Sequence, residues 1–280
     1  MTYDLNNKVV LITGSTGGLG RAAATALRAR GARLALLDLD LAAAQDQARA
    51  LGEPDVAFAW QTNVCSLESL EEGFAAVERH FGRIDVVIAN AGIGNTAPLE
   101  TLTESAFERT IDVNLNGVFR TFKAALPHVK ATQGYLLAVS SMAAFVNAPL
   151  NSHYAASKAG VLAMCNSLRV ELKHQGIDIG TIHPTFFKTP MMDALMDSHC
   201  SNLVFNRYQG IWKFVELEDV VNKLVDGIAK RRKLITAPSQ LALIARAPGL
   251  LRPLVELIGF NKQRVKQAVQ LSIEDAGNKK

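Results

Sequence analysis

The chain has 280 residues, 49% of them hydrophobic, which is enough for one large α/β domain or two small ones with a buried core. Its net charge of +4 is uneven: residues 230–280 hold eleven Lys/Arg against three Asp/Glu, a net of +8, which leaves 1–229 at −4. Three widely spaced cysteines (Cys65, Cys165, Cys200) exclude a disulfide framework and a zinc site, and the polar stretch 1–7 lacks the apolar core of a secretory signal, so a cytoplasmic, metal-free protein is expected.

Apolar runs at 8–13, 33–37, 56–60, 84–89, 135–139, 177–182 and 233–236 alternate with segments of helical period. Runs such as Val9-Val10-Leu11-Ile12 and Val86-Val87-Ile88-Ala89 are continuously apolar, as in strands covered by helices on both faces. The pattern predicts an α/β fold with a doubly wound parallel sheet of about seven strands, in which ligands bind at the carboxyl ends of the strands.

After the first run stands Thr13-Gly14-Ser15-Thr16-Gly17-Gly18-Leu19-Gly20, a glycine-rich turn leading into a helical segment. Gly14, Gly18 and Gly20 supply a tight turn and close backbone approach to a pyrophosphate at a helix N-terminus, a dinucleotide fingerprint with its gaps reordered. Asp38 closes the second run, where a carboxylate accepts from a ribose diol and repels a 2′-phosphate; NAD is therefore expected over NADP. Capping of the next helix by Asp38 or Asp40 is the alternative. Asn63 and Val64, Asn90-Ala91-Gly92, Ser140-Ser141 and Pro184-Thr185 follow the later runs.

Tyr154 and Lys158 are four residues apart in a helical segment and so share a face. An ammonium beside a phenol favours its ionisation, and an acid/base for ketone–alcohol interconversion needs a pKa nearer 7 than tyrosine's usual value of about 10. Ser141, or failing it Ser140, is placed to hydrogen-bond the substrate oxygen. His153 and His183 lack metal-ligand spacing and are expected to be ordinary hydrogen-bonded side chains.

These residues, in this order, resemble the short-chain dehydrogenase/reductase family over about 8–236: Gly14/Gly18/Gly20, Asn90-Ala91-Gly92, Asn114, Ser141 and Tyr154/Lys158. The resemblance implies a Rossmann-type domain and an NAD-linked oxidoreductase of secondary alcohols and ketones. Cofactor residues would be Gly14, Ser15, Gly18, Leu19, Gly20, Asp38, Asn63, Val64, Asn90, Ala91, Gly92, Tyr154, Lys158, Pro184 and Thr189. It further implies that Lys158 holds the nicotinamide ribose, that Asn114 supports a proton relay, that Thr189 meets the carboxamide, and that helices from the Asn114 and Tyr154 regions form a homodimer or homotetramer. Asn114 lies in a helical pattern it does not favour, so a local irregularity is expected. Ala89, Asn63 and Thr185 depart from the family's usual Asn, Asp and Gly. An NADP-linked carbonyl reductase, or a dinucleotide-binding sensor with little turnover, is the alternative.

Residues 1–240 are expected to form the catalytic domain, with a lid at about 190–214, and 241–280 a basic amphipathic extension. The lid carries Met191, Met192, Leu195, Met196, Leu203, Val204, Phe205, Tyr208 and Trp212; with Phe145, Val146 and Leu150 these predict a pocket for a lipophilic substrate such as a steroid, retinoid, terpene or long-chain compound. The extension is too interrupted by charge and proline to cross a membrane. Its apolar face suits a neighbouring subunit best, permits peripheral contact with an anionic membrane, and offers nothing for nucleic acid.

Overall fold

The structure, a computed structural model, describes residues 3–52 and 54–277; residues 1–2, 53 and 278–280 of the expected ranges lie outside it. In chain order its main elements are β1 (Val9–Thr13), α1 (Gly18–Ala29), β2 (Arg33–Asp38), α2 (Leu41–Leu51), β3 (Ala57–Gln61), α3 (Leu67–Phe81), β4 (Val86–Ala89), α4 (Glu104–Ile111), α5 (Gly117–Thr132), β5 (Tyr135–Val139), α6 (Ser152–Glu171), β6 (Asp178–Pro184), α7 (Pro190–Met196), α8 (His199–Val204), α9 (Leu217–Ala229), β7 (Leu234–Ala237), α10 (Ala242–Arg246), α11 (Pro248–Gly259) and α12 (Lys262–Gly277). The strands form one parallel sheet in the order β3-β2-β1-β4-β5-β6-β7. All seven apolar runs are strands, within a residue or two.

Every side chain of β1, β4 and β5 is buried, which explains their unbroken apolarity. Because successive side chains point to opposite faces, Val10, Ile12, Val86 and Ile88 pack under α1 and α9, against Ala23, Leu27, Val220 and Leu224. Val9, Leu11, Val87 and Leu136 pack on the other face against Phe74 and Val77 of α3, Phe122 and Val129 of α5, and Val161 of α6. The doubly wound architecture is therefore three layers, and its order reverses between β1 and β4, where a crevice opens at the carboxyl ends of the strands.

Between α4 and α5 the helix widens into a π turn, Asp112–Asn116. This is the irregularity expected around Asn114. Beyond β6, α7 and α8 and the short turns Asn206–Tyr208 and Gly210–Trp212 form a cap over the crevice. Phe186, Phe205, Tyr208, Trp212 and Phe260 interlock there, with Phe186–Phe205 centroids 4.8 Å apart and Trp212 stacked on Phe260 at 4.9 Å. Ala268 of α12 is fully buried in this cap cluster, so the C-terminal helices close the lid from behind.

Candidate active site

The crevice at the β1/β4 reversal is a cleft of about 1130 Å³. At one end Gly14, Gly17, Gly18 and Leu19 line it, and at the other Met191, Phe205 and Trp212. Pockets for a single small ligand run from about 300 to 1,000 Å³, so this cleft lies above the upper end of that range.

The glycine turn is held from below. Gly14 takes φ +62°, and a Cβ there would lie 2.8 Å from Ala91 Cα, so only glycine fits. The Asn90 side-chain amide donates to the carbonyls of Thr13 (3.1 Å) and Gly14 (2.8 Å), while its backbone N–H donates to Thr13 Oγ1 (3.1 Å). Asp38 Oδ2 accepts from both the backbone N–H of Thr16 (2.9 Å) and its hydroxyl (2.8 Å). Asp38 thus faces the cleft and also clamps the turn, while Asp40, not Asp38, caps α2 by accepting from Ala43 N–H. Gly17 at the start of α1 offers no side-chain cap, which leaves the first N–H groups of that helix free for an anion. An open glycine cradle, an uncapped helix start and a cleft-facing carboxylate fit a dinucleotide.

Three residues expected at the site lie behind its wall. Ser15 is fully buried under the turn, and Gly20 is a packing position where any side chain would press on the Gly14 carbonyl and Asn90. Asn114 is also fully buried: its Oδ1 accepts from Ile93 N–H (2.8 Å), and its Nδ2 donates to Ile93 O (2.9 Å) and Ser157 Oγ (3.2 Å). The π turn aims this amide at the Ile93 backbone in the irregular segment after Gly92, bracing the cleft wall rather than lining it. Thr16 and Gly17, neither of them among the expected residues, also line the cleft. The other expected residues, Gly14, Gly18, Leu19, Asp38, Asn63, Val64, Asn90, Ala91, Gly92, Ser141, Tyr154, Lys158, Pro184 and Thr189, all line it.

Tyr154 and Lys158 project from α6 into the cleft, with Nζ 5.5 Å from the phenol ring centroid. Lys158 Nζ donates to Val139 O at 2.9 Å. Ser140 spends its hydroxyl on Lys158 O (3.0 Å), tying α6 to the end of β5, whereas Ser141 Oγ accepts from Ala143 N–H and faces the cleft. Ser141 is therefore the serine available to a ligand. Burial dominates the titration of the pair: it raises the Tyr154 phenol, with the neighbouring Ser141 hydroxyl acting the other way, and lowers the Lys158 ammonium to about 8. The downward pull expected of Lys158 on Tyr154 does not set the direction, because desolvation disfavours both charged forms.

The histidines are structural. His183, fully buried, donates from Nδ1 to Ser141 O (3.1 Å), pairs with Thr181 Oγ1 (2.8 Å) and is held neutral by burial, its pKa lowered to about 4. His153 donates to Asn95 Oδ1 at 2.5 Å, and burial lowers its pKa as well. Among the described residues no three His, Cys, Asp or Glu side chains gather as metal ligands.

On the substrate side Met191, Met192, Leu195, Phe205, Tyr208, Trp212 and Val146 line the cleft as expected. Met196, Leu203, Val204, Phe145 and Leu150 do not. Phe145 turns to pack on the His183 ring at 4.7 Å, and Leu150 and Val204 are absorbed into the core of the cap. Phe186 and Phe187, just after β6, complete the apolar wall.

Residues 8–199 match the family model for short chain dehydrogenases. The chain belongs to the short-chain dehydrogenase/reductase family. It is 35% identical over 182 residues to a galactitol 2-dehydrogenase of Agrobacterium fabrum, covering 64% of this chain and 70% of that protein. It is 34% identical over 199 residues to a trans-4-hydroxycyclohexanecarboxylate dehydrogenase of Sinomonas cyclohexanicum (67% and 75%). The solved structure of levodione reductase superposes with a TM-score of 0.75 at 28% identity, covering 83% of this chain and 96% of that one. The protein is thus an oxidoreductase acting on CH–OH groups or carbonyls with a nicotinamide dinucleotide.

Proposed function

We propose that the protein interconverts a lipophilic secondary alcohol and its ketone with NAD. The observation that carries this reading is one continuous cleft that starts at the Asp38 carboxylate, passes Ser141, Tyr154 and Lys158, and ends in Met191, Phe205 and Trp212. Asp38 accepts from a ribose diol and repels a 2′-phosphate, and its clamp on Thr16 fixes that position. Gly14, Gly18 and Leu19 hold the pyrophosphate; Asn63 and Val64 border the adenine; Asn90, Ala91, Gly92, Pro184 and Thr189 flank the nicotinamide half. Ser15 and Gly20 act from behind, by shaping the turn.

Bound nicotinamide supplies the hydride chemistry at the substrate carbon. Ser141 Oγ donates to the substrate oxygen and holds it beside the phenol. Tyr154 Oη takes the hydroxyl proton in oxidation and returns it in reduction. Lys158, anchored on Val139 O, places a cation over the phenol ring that favours its anion, and Asn114 holds the wall on which the proton leaves. The apolar lining selects the substrate class: a sugar alcohol would leave its hydroxyls unpaired against Met191, Leu195 and Phe186, at about 1–3 kcal/mol for each.

The protein acts in the cytoplasm as a homodimer or homotetramer, with the half-exposed Phe119 of α5 and the exposed Val170 of α6 at the subunit contact. Of the C-terminal helices, α12 backs the cap, while the exposed face of α11 serves contacts outside the catalytic body. The test is a graded series of secondary alcohols assayed with NAD and NADP in parallel, for the parent and Asp38→Ala. The parent should favour NAD and the more apolar substrates, and the variant should lose roughly tenfold or more in its NAD-over-NADP ratio. A parent preference for NADP overturns the reading of Asp38, and a preference for polyols overturns that of the substrate.

A further inference from the structure

Twelve large hydrophobic side chains stand exposed among the described residues, and five of them, Leu243, Leu250, Leu254, Leu257 and Ile258, fall within 243–258. Scattered apolar side chains on a surface need no explanation, but a concentration does. On α11 the exposed set recurs at spacings of four, three and one, so Leu250, Leu254, Leu257 and Ile258 occupy one face, while Arg252 and Glu256 pair on the opposite side at 3.6 Å. The helix is pinned to the cap by its far face. Gly259 is buried so closely against Trp212 that a side chain there would strike the indole, and the Trp212 indole N–H donates to Gly259 O at 3.1 Å. Ile211, itself 54% exposed, lies beside that contact and extends the apolar patch to the rim of the lid.

Two occupants compete for such a face: a second copy of the chain or a lipid surface. The charge decides between them. The patch is bracketed by exposed Arg246 before α11 and exposed Lys262 and Lys266 after it, within a segment of net +8. A symmetric contact between two copies would bring those like charges together, whereas an anionic bilayer neutralises them while the leucines enter its headgroup boundary. At 12 residues, about 18 Å, α11 is the wrong length to span a bilayer and a suitable one to lie along it.

From the juxtaposition of this leucine face with its basic flanks, the structure assigns α11 as a docking element for anionic membrane surfaces. Trp212 lines the cleft and touches α11, so the docked surface and the substrate end of the cleft share a wall. Delivery of a lipophilic substrate from the bilayer rests on the substrate reading above; the docking itself does not.

The test is co-sedimentation of the full chain with vesicles of phosphatidylcholine alone or with 30% phosphatidylserine (on the order of one anionic lipid in three), for the parent and the double variant Leu250→Glu/Leu257→Glu. Both positions are exposed, so the variant should retain its melting temperature and its turnover of a short, water-soluble alcohol. The parent should sediment with the anionic vesicles only, release as salt rises, and lose about tenfold or more of its affinity in the double variant. Equal binding of parent and variant, or no binding by the parent, overturns the assignment. So does a change in oligomeric size in the variant without a change in vesicle affinity, which would identify the face as a subunit contact. Vesicle binding by the parent that is lost in the variant, together with a preference of the parent for polar substrates, would leave the docking standing and remove only the substrate reading.

Discussion

Around Gly14 the cleft wall is backbone, fixed by Thr13, Asn90 and the Asp38 clamp on Thr16; around Met191 it is side chain, set by how Phe186, Phe205 and Trp212 pack. The first wall tolerates almost no change, because a Cβ at Gly14, Gly18 or Gly20 would collide with its neighbours. The second is made of flexible and aromatic groups that can be exchanged for others of similar volume. The family match at 8–199 covers the whole first wall and ends inside the cap, at the start of α8. The first wall thus lies wholly within the matched residues, whereas Phe205, Tyr208 and Trp212 of the second lie beyond them.

The largest expected effect lies where the two walls meet. Tyr154→Phe removes one oxygen at the proposed proton-transfer point and leaves the packing of α6 intact. kcat should fall by about 10²–10⁴-fold, with KM and the melting temperature little changed. A variant that retains more than a tenth of the parent kcat would move the acid/base function away from this residue.

Lys158 separates chemistry from stability. Burial holds its ammonium at about 8, below the ordinary value near 10.5. Between those two values the unfolded chain keeps the proton and the folded protein does not, so stability rises with pH across about 8 to 10.5; below 8 the buried charge costs on the order of 3 kcal/mol. Lys158→Met should abolish most activity, yet at pH 7 unfold at a denaturant midpoint no lower than the parent's, and lose the rise between pH 8 and 10.5. A clear loss of stability at pH 7 would mean that the bond to Val139 O outweighs the desolvation.

The contrast also explains what the sequence could and could not tell. Strands were legible because burial on both faces forces unbroken apolar runs, and the gathering of Gly14, Ser141, Tyr154 and Lys158 along one cleft was legible because their spacing puts them at strand ends or on one helix face. Direction was not legible. Ser15 and Gly20 belong to the glycine motif but face away from the cleft: Ser15 is buried beneath the turn, and Gly20 packs against the Gly14 carbonyl and Asn90. Asn114 reads as a site residue, yet the π turn sends its amide behind the wall. Phe145 and Leu150 have the composition of pocket residues, and packing against His183 and the cap claimed them instead. An apolar side chain announces that it will be buried, not which side it will be buried on.

The smallest expected effect tests whether the second wall is a binding surface or only a lid. Met191 is 40% exposed, lines the cleft and comes close to Gly94 beside the Tyr154 ring, so it touches the substrate space without supporting the cap core. Phe205 lines the same cleft but is almost fully buried within the aromatic cluster. Met191→Ala should raise KM for an apolar substrate by about three- to tenfold, the loss of roughly 1 kcal/mol of buried thioether surface, with kcat and melting temperature unchanged. Phe205→Ala should instead destabilise the fold by about 3–5 kcal/mol. Should Met191→Ala leave KM for apolar substrates untouched while Phe205→Ala changes it only as the cap unfolds, selectivity would have to reside in the rigid half of the cleft, and the division of labour between the two walls would be lost.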